Sequence, residues 1–400
     1  MEFETLKARR LSQQSNTSPG TVPSTFPRGR RADRREGLFV LQIVPVDSFR
    51  RTLQFLELPH RIHATPASRW VAPLKLQERA FMGSLRGPKR GFWMVLHEER
   101  PVARLGACVQ EHEGEKRIHF GFFECMEGYS EAVPMLFERA GRLAPGLEMH
   151  GPYCFEMEDP YIGVLVDGFE HAPTFLMSYN PPFYGEYLEA AGLQGVMDLN
   201  SYLYTPETVD LERMATRAAR AARKGISIRS MNRWRPGREM RNCADIANRA
   251  WAGNWGYQEL KEEQVQSLTL FCAGFFDSQS TLFARHEDRD VGFIWVLQNF
   301  NEFFREARGR ITPKLVWQLL FRRRSIRTFR GYGLGVLPEF QHIPVSAALV
   351  HEIMKQGQSR DWKELDLGWV LASNTRMNAM ARALGGKLHK VHRLYKREPA

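Results

Sequence analysis

The sequence lacks the features that would make its function obvious. Its five cysteines, Cys108, Cys125, Cys154, Cys243 and Cys272, are odd in number and widely spaced, with no CxxC pair and no Cys/His cluster. This excludes a disulfide framework and a structural zinc site as organising elements, and it fits a reducing compartment. No apolar run approaches the roughly 20 residues needed to span a membrane, and the N-terminus has no secretory apolar core. The expectation is a cytoplasmic protein, with peripheral attachment to the inner membrane left open. No Ser–His–acid set for nucleophilic catalysis is visible, nor the clustered Arg-Glu and Glu-Glu metal ligands of a pyrophosphohydrolase. An aromatic-basic ribonucleoprotein motif and a helix-turn-helix pattern are missing too, so nucleic acid is not the expected partner.

What is present is a 400-residue chain, 43% hydrophobic, with a formal net charge of +11 and a pI near 9.5. The length is enough for a sizeable core and two or three domains, and the charge favours an anionic partner. Residues 1–36, rich in Ser, Thr, Pro and Arg, are expected to be a disordered basic tail. From Leu38 the pattern is mixed α/β. A strand to Val44, a helix capped by Asp47 and running through Leu56, a hairpin about Glu98 to Pro101, a strand over Arg117 to Phe123 and a helix over Glu131 to Leu143 follow one another. The same order returns in Ile226 to Met231, Glu239 to Ala252, Thr281 to His286, Val291 to Leu297 and Phe329 to Leu337. The simplest account is an α/β (α+β) fold of two tandem mixed-sheet domains, 37–204 and 205–400, joined near Thr205 to Lys224.

The end of the chain is the most informative part. Leu334 to Leu337 reads as a strand, Pro338 to Ile343 as a turn and Pro344 to Lys355 as a helix. A strand opening into a helix aims free N–H groups and the positive helix end at one spot, where a pyrophosphate or thioester oxygen can be held. A strand over Glu364 to Leu371, a helix from Thr375 capped at Ser373-Asn374 and stopped by Gly385-Gly386, and a last strand over Lys387 to Arg397 complete the series. Val336-Leu337-Pro338, Gln341, Asn374 and the Gly-Gly ahead of Arg393 to Lys396 make this series resemble the acyl-CoA-binding half of the GNAT acyltransferase superfamily. The resemblance is good over roughly the last 70 residues and looser from Ser227. It implies an N-acyltransferase with no permanently bound cofactor, using acyl-CoA or an acyl carrier protein as co-substrate and an amine as acceptor. Val336, Leu337, Gln341 and Ser346 would lie at the donor's phosphate end, and Asn374 would face its pantetheine arm or act only as a helix cap.

Two departures stand out. The phosphate loop of the superfamily has small residues where this chain has Pro344 and Ser346, and proline has no N–H to offer. Ala381 occupies the place of the tyrosine acid that the resemblance predicts. The first half has no glycine-rich phosphate turn, and the resemblance implies that such a half shapes the acceptor pocket. Candidate bases are His342, Glu339 and Asp366, with His342 favoured because imidazole titrates near neutrality. The alternatives are a surface turn histidine and a solvent-facing strand aspartate. No metal ligands are assigned.

Tyr179-Asn180-Pro181-Pro182-Phe183-Tyr184 followed by Ala191-Gly192 resembles a bacterial group of two-copy GNAT proteins that includes ceramide synthases. Tyr179, Asn180 and Tyr184 are therefore candidates for the acceptor wall, or else core residues of a proline-fixed turn. Between Asn301 and Arg330 there are nine Lys/Arg and two acids around an apolar segment containing Trp317. Trp317 is a candidate substrate contact on a helix that either docks at an anionic membrane surface or packs in the core. The competing function is a non-catalytic GNAT-like protein that uses its basic surface to bind membrane or nucleic acid.

Overall fold

The computed structural model describes residues 40–84, 89–112, 115–153, 162–257, 259–275 and 280–399. The basic tail and the 154–161 stretch of the aromatic segment lie outside them. The first series runs β1 (Gln42–Pro45), α1 (Phe49–Ile62), α2 (Lys75–Ser84), β2 (Arg90–His97), β3 (Arg100–His112), β4 (Glu115–Cys125), α3 (Ala132–Gly141), β5 (Met149–Gly151), β6 (Val164–Asp167), α4 (Tyr184–Ala190) and β7 (Gln194–Tyr204). The second runs α5 (Leu211–Ala222), β8 (Ile226–Ser230), α6 (Pro236–Ala250), α7 (Glu262–Phe275), β9 (Thr281–His286), β10 (Arg289–Gln298), α8 (Asn301–Ala307), α9 (Pro313–Phe321), β11 (Thr328–Val336), α10 (Val345–Ser359), β12 (Glu364–Leu371), α11 (Thr375–Ala383) and β13 (Lys387–Arg397).

The cap of α1 is Ser48 and not Asp47: its hydroxyl accepts the Arg51 N–H, and the helix continues to Ile62. The expected join, Thr205 to Lys224, is mostly α5, whose Asp210 side chain caps the first turn.

One continuous sheet runs β1-β2-β3-β4-β5-β13-β7-β12-β11-β10-β9-β8, with β6 also on β13. In each series an antiparallel run ends in one parallel pair, β4 with β5 and β11 with β12. The last strands are exchanged. β7, from the first series, lies between β13 and β12, and β13, from the second, lies between β5 and β7. Tyr202 and Tyr204 of β7 accordingly pack in the core of the second series, while Tyr395 of β13 packs in that of the first. A division at residue 204 leaves β7 in the first part although both of its sheet neighbours belong to the second.

The parallel pairs come apart, and the strand register gives the reason. β11 and β12 pair only over Thr328–Gly331 and Glu364–Leu367. Just beyond, Tyr332 is an extra residue against β10, and Gly368-Trp369 are extra against β7. Extra residues bend a strand and increase its twist, so the two strands diverge into a wedge. In the first series Phe122 and Phe123 stand opposite the single Leu105, with Phe122 at φ 53°, and β5 departs from β4 after His119.

Candidate active site

The wedge between β11 and β12 opens into a cavity of about 440 Å³. Tyr332 and Leu334 line it from β11, Trp369 and Leu371 from β12, and Trp251 and Tyr257 from the α6–α7 connection. Alternating glycines let the aromatics approach: a Cβ at Gly335 would sit 2.7 Å from the Phe293 ring, and one at Gly333 would meet Trp251 and Phe293 at 3.4 Å. Trp251 is fixed there by its indole N–H, which donates to the Leu334 carbonyl at 3.0 Å. Tyr257 donates to Asn248 at 2.6 Å, and burial pushes its hydroxyl up to about 12. The wall is mostly apolar, with a few polar groups for orientation, as small-molecule sites generally are.

Arg330 also lines the wedge. The residue is 2% exposed. Its Nε donates to the Gly368 carbonyl at 3.1 Å, and its Nη1 donates to those of Phe175 and Leu176 at 2.9 and 2.6 Å. Burial lowers its pKa to about 10.

Asn374 lines the same cavity and also caps α11, accepting the Met377 N–H at 3.0 Å. Val336 and Leu337 are buried where β11 ends, and the Leu337 N–H donates to Val291. Gln341 donates from Nε2 to the Val336 carbonyl at 3.3 Å, and its Oε1 and backbone carbonyl accept from Arg376 at 3.0 and 2.5 Å. Ser346 is half-buried in the first turn of α10. At that helix start Pro344 has no N–H, and the Val345 N–H donates back to Ile343 at 2.8 Å. Arg376 brings a cation to the turn where those donors are missing.

The three candidate bases are not among the described residues that line the wedge. His342 is exposed on its turn. Glu339 is exposed and ion-paired to Arg249 and Arg289 at 3.0 and 3.3 Å, and its own backbone N–H and Arg249 hold its carboxyl below the usual range. Asp366 is buried rather than solvent-facing. Its Oδ2 accepts from Lys390 at 2.7 Å and Thr174 at 3.1 Å, and His389 Nε2 lies 3.2 Å from Oδ1 without hydrogen-bond alignment. Burial pushes this carboxyl up, but Lys390 and His389 outweigh it and hold the group far below the ordinary value. The cluster lines a separate polar cavity of about 430 Å³.

Tyr179 and Asn180 lie in the loop that closes over the seam. Tyr179 donates to the Phe169 carbonyl at 2.9 Å. The Asn180 amide imitates a strand neighbour, accepting the Leu165 N–H at 2.7 Å and donating to its carbonyl at 3.1 Å. Tyr184 fills the first series' own divergence: its hydroxyl donates to Glu124 at 2.6 Å and accepts the Cys125 N–H at 2.9 Å. Beside it Arg104 lies 3.5 and 3.6 Å from the carboxylates of Glu78 and Glu124. The cavity left there is about 60 Å³. Trp317 is half-exposed on α9, beside exposed Val316, Leu320 and Phe321, and is not among the described residues that line the wedge.

Sequence reasoning did not single out Arg330, Tyr332, Trp369 or Trp251. A signal was present. Gly331-Tyr332-Gly333-Leu334-Gly335 puts glycine at alternate strand positions, a mark of close approach by other groups, and Arg330 precedes it as the one charged residue between Phe329 and Leu337.

No protein-family profile matches the chain. It is 25% identical over 379 residues, 89% of this chain and 97% of the relative, to a bacterial ceramide synthase of Caulobacter vibrioides. It superposes on a tandem GNAT protein from the clavulanic acid biosynthesis pathway with a TM-score of 0.51 and 11% identity, covering 90% of this chain and 99% of that one. Against a GCN5-related glucosamine N-acetyltransferase region within a fungal multi-domain β-N-acetylglucosaminidase the TM-score is 0.56 at 11% identity, over 92% of this chain and 39% of that one. Repeated antiparallel runs that each end in a diverging parallel pair give this chain the fold of the GNAT proteins it superposes on, and its near full-length similarity in sequence is to the bacterial ceramide synthase.

Proposed function

We propose that the protein is an N-acyltransferase that moves an acyl group from acyl-CoA, or from an acyl carrier protein, to the amine of a long-chain acceptor of sphingoid type. The observation that carries this reading is the apolar, aromatic-walled wedge of about 440 Å³ in the second series, set against its closed counterpart in the first. In this reading residues 205–400 hold the donor. Asn374 faces the pantetheine, and Gln341 with the first turn of α10 meets the diphosphate, where Arg376 supplies the charge that Pro344 cannot. Positioning does most of the work: holding amine and thioester in attack geometry can supply up to roughly 7–11 kcal/mol. The amine's proton leaves through water.

A lipid acceptor also agrees with α9. Val316, Trp317, Leu320 and Phe321 are 42 to 71% exposed along one stripe, and Arg308, Arg310, Arg322 and Arg324 surround them on the exposed surface. That combination fits seating on an anionic bilayer. Trp317→Ser with Phe321→Ser should abolish flotation with anionic vesicles, and Arg322→Glu should weaken it several-fold, at about 1 kcal/mol per cation.

The test of the activity is thiol release from acyl-CoAs and acyl carrier protein conjugates of short to long chain, each paired with a panel of amines that includes sphingoid bases. The expected result is release confined to long-chain amines. No release with any pair ends the proposal.

A further inference from the structure

The open wedge holds a fixed positive charge that forms no ion pair with a carboxylate among the described residues. Each hydrogen-bond partner of Arg330 is a neutral carbonyl, and its Nη2 has none among the described residues. The guanidinium lies between the rings of Tyr332 and Trp369, 5.1 and 4.5 Å from their centroids. The carboxylate in register with it, Asp366, is paired to Lys390. Two buried cations therefore stand against one buried carboxylate. Such an imbalance is costly and is normally relieved by pairing. The first wedge shows that relief, since Arg104, equally buried, has Glu78 and Glu124 beside it. In the second wedge no carboxylate is among the described residues that line the cavity.

We propose that Arg330 holds the negative charge that develops on the thioester carbonyl oxygen during acyl transfer. This rests on the acyltransferase reading above. In the reaction the amine nitrogen attacks the carbonyl carbon and forms the C–N bond, while the C=O π pair moves onto oxygen. That pair returns as the C–S bond breaks and its electrons leave on sulfur. The proton lost by nitrogen reaches the thiolate through water, giving amide and free thiol. A preorganised donor aimed at the oxyanion lowers the barrier most in a dry site. The same cation disfavours an ammonium group beside it, so the acceptor enters the wedge as the neutral amine that the attack requires.

The experiment uses full-length Arg330→Gln and Arg330→Lys, with an acyl-CoA and amine pair that the wild type turns over. Arg330→Gln is expected to lower kcat by roughly 10²–10³, the usual effect of deleting one oxyanion donor. Calorimetric affinity for the donor should stay within about threefold, because the contact with the neutral carbonyl is weak and strengthens as the oxyanion forms, and Arg330→Lys should recover part of the rate. A folded variant with unchanged kcat, or one that loses donor affinity as steeply as rate, overturns the assignment. Should neither variant fold, isotope-edited infrared spectra of wild type with carbonyl-labelled acyl-CoA decide. The carbonyl band must move to lower wavenumber on binding, and an unmoved band overturns the assignment. Thiol release by wild type with unaffected variants sinks this inference alone, whereas no release by wild type with any pair sinks the acyltransferase reading and this with it.

Discussion

The two series of the chain make the same bend and use it in opposite ways. Both carry an extra residue in the first strand of the parallel pair, just beyond the point where the pairing stops, Phe122 with Phe123 in one and Tyr332 in the other. In the first, the divergence is filled by Tyr184, Glu124 and Arg104, which satisfy one another. In the second, aromatic groups stand back at the walls, and the buried arginine has only carbonyls to bond. A β-bulge therefore creates the opportunity for a site, and the side chains of the elements packed beside it decide whether it becomes one. α4 brings Tyr184 inward to Glu124, whereas in the second series Trp251 and Tyr257 of the α6–α7 connection stand at the cavity wall.

The comparison can be broken most directly by filling the open wedge. Leu371→Trp should cut thiol release by about 10² or more through displacement of the donor, with little change in melting temperature because the added ring enters empty space. Unchanged activity would mean that the cavity is not where the donor binds. Opening the closed wedge should have the converse effect. Tyr184→Phe leaves the Cys125 N–H and a Glu124 oxygen without that partner, and chemical denaturation should show a loss of about 1–3 kcal/mol with activity per folded molecule retained.

The pH dependence sharpens the contrast. Burial pushes the Glu124 carboxyl up from an ordinary 4.5 to about 7, against the opposing pull of Arg104. Between those values the folded chain holds a proton there that the unfolded chain has released, so this group's contribution to stability falls as pH rises through the window and is level above it. Buried His63 and His392, lowered to about 3 by burial, act oppositely: their contribution is present above about 6.5 and is lost as pH falls. The measurement is therefore a difference. Wild-type stability relative to Glu124→Gln should decline from pH 4.5 to 7, and a flat difference would remove the charge from the account of the plug. The smallest effect is expected at the seam between the series, where Arg393 meets Asp198 in a two-pronged contact at 2.7 and 3.1 Å. Both side chains are about one-third exposed, and Arg393→Ala should cost at most about 1 kcal/mol.

Much of the second half could be read from the sequence because its signals are local. Glu364–Leu371 and Lys387–Arg397 have the expected bounds, and α11 begins at Thr375 behind its Asn374 cap. β7 was not legible. Gln194–Tyr204 mixes polar and apolar residues without a clean period, and its neighbours are set by pairings nearly 200 positions away. Separation along the chain also hid the plug, since Tyr184 and Glu124 are 60 positions apart. Charge balance was hidden too: Arg330 and Asp366 look alike in a strand pattern, and only the fold shows that Lys390 pairs with one while the other has only carbonyls as hydrogen-bond partners among the described residues.

The exchanged strands have a consequence for any attempt to dissect the protein. A fragment ending at Tyr204 would carry β7 without either of its sheet partners, and a fragment beginning after it would leave facing backbone on β12 unbonded. Each piece would expose long adhesive borders of the kind that invite misassembly. The halves are interlocked, so a split gene should give functional protein only when both products are made together and clasp during folding.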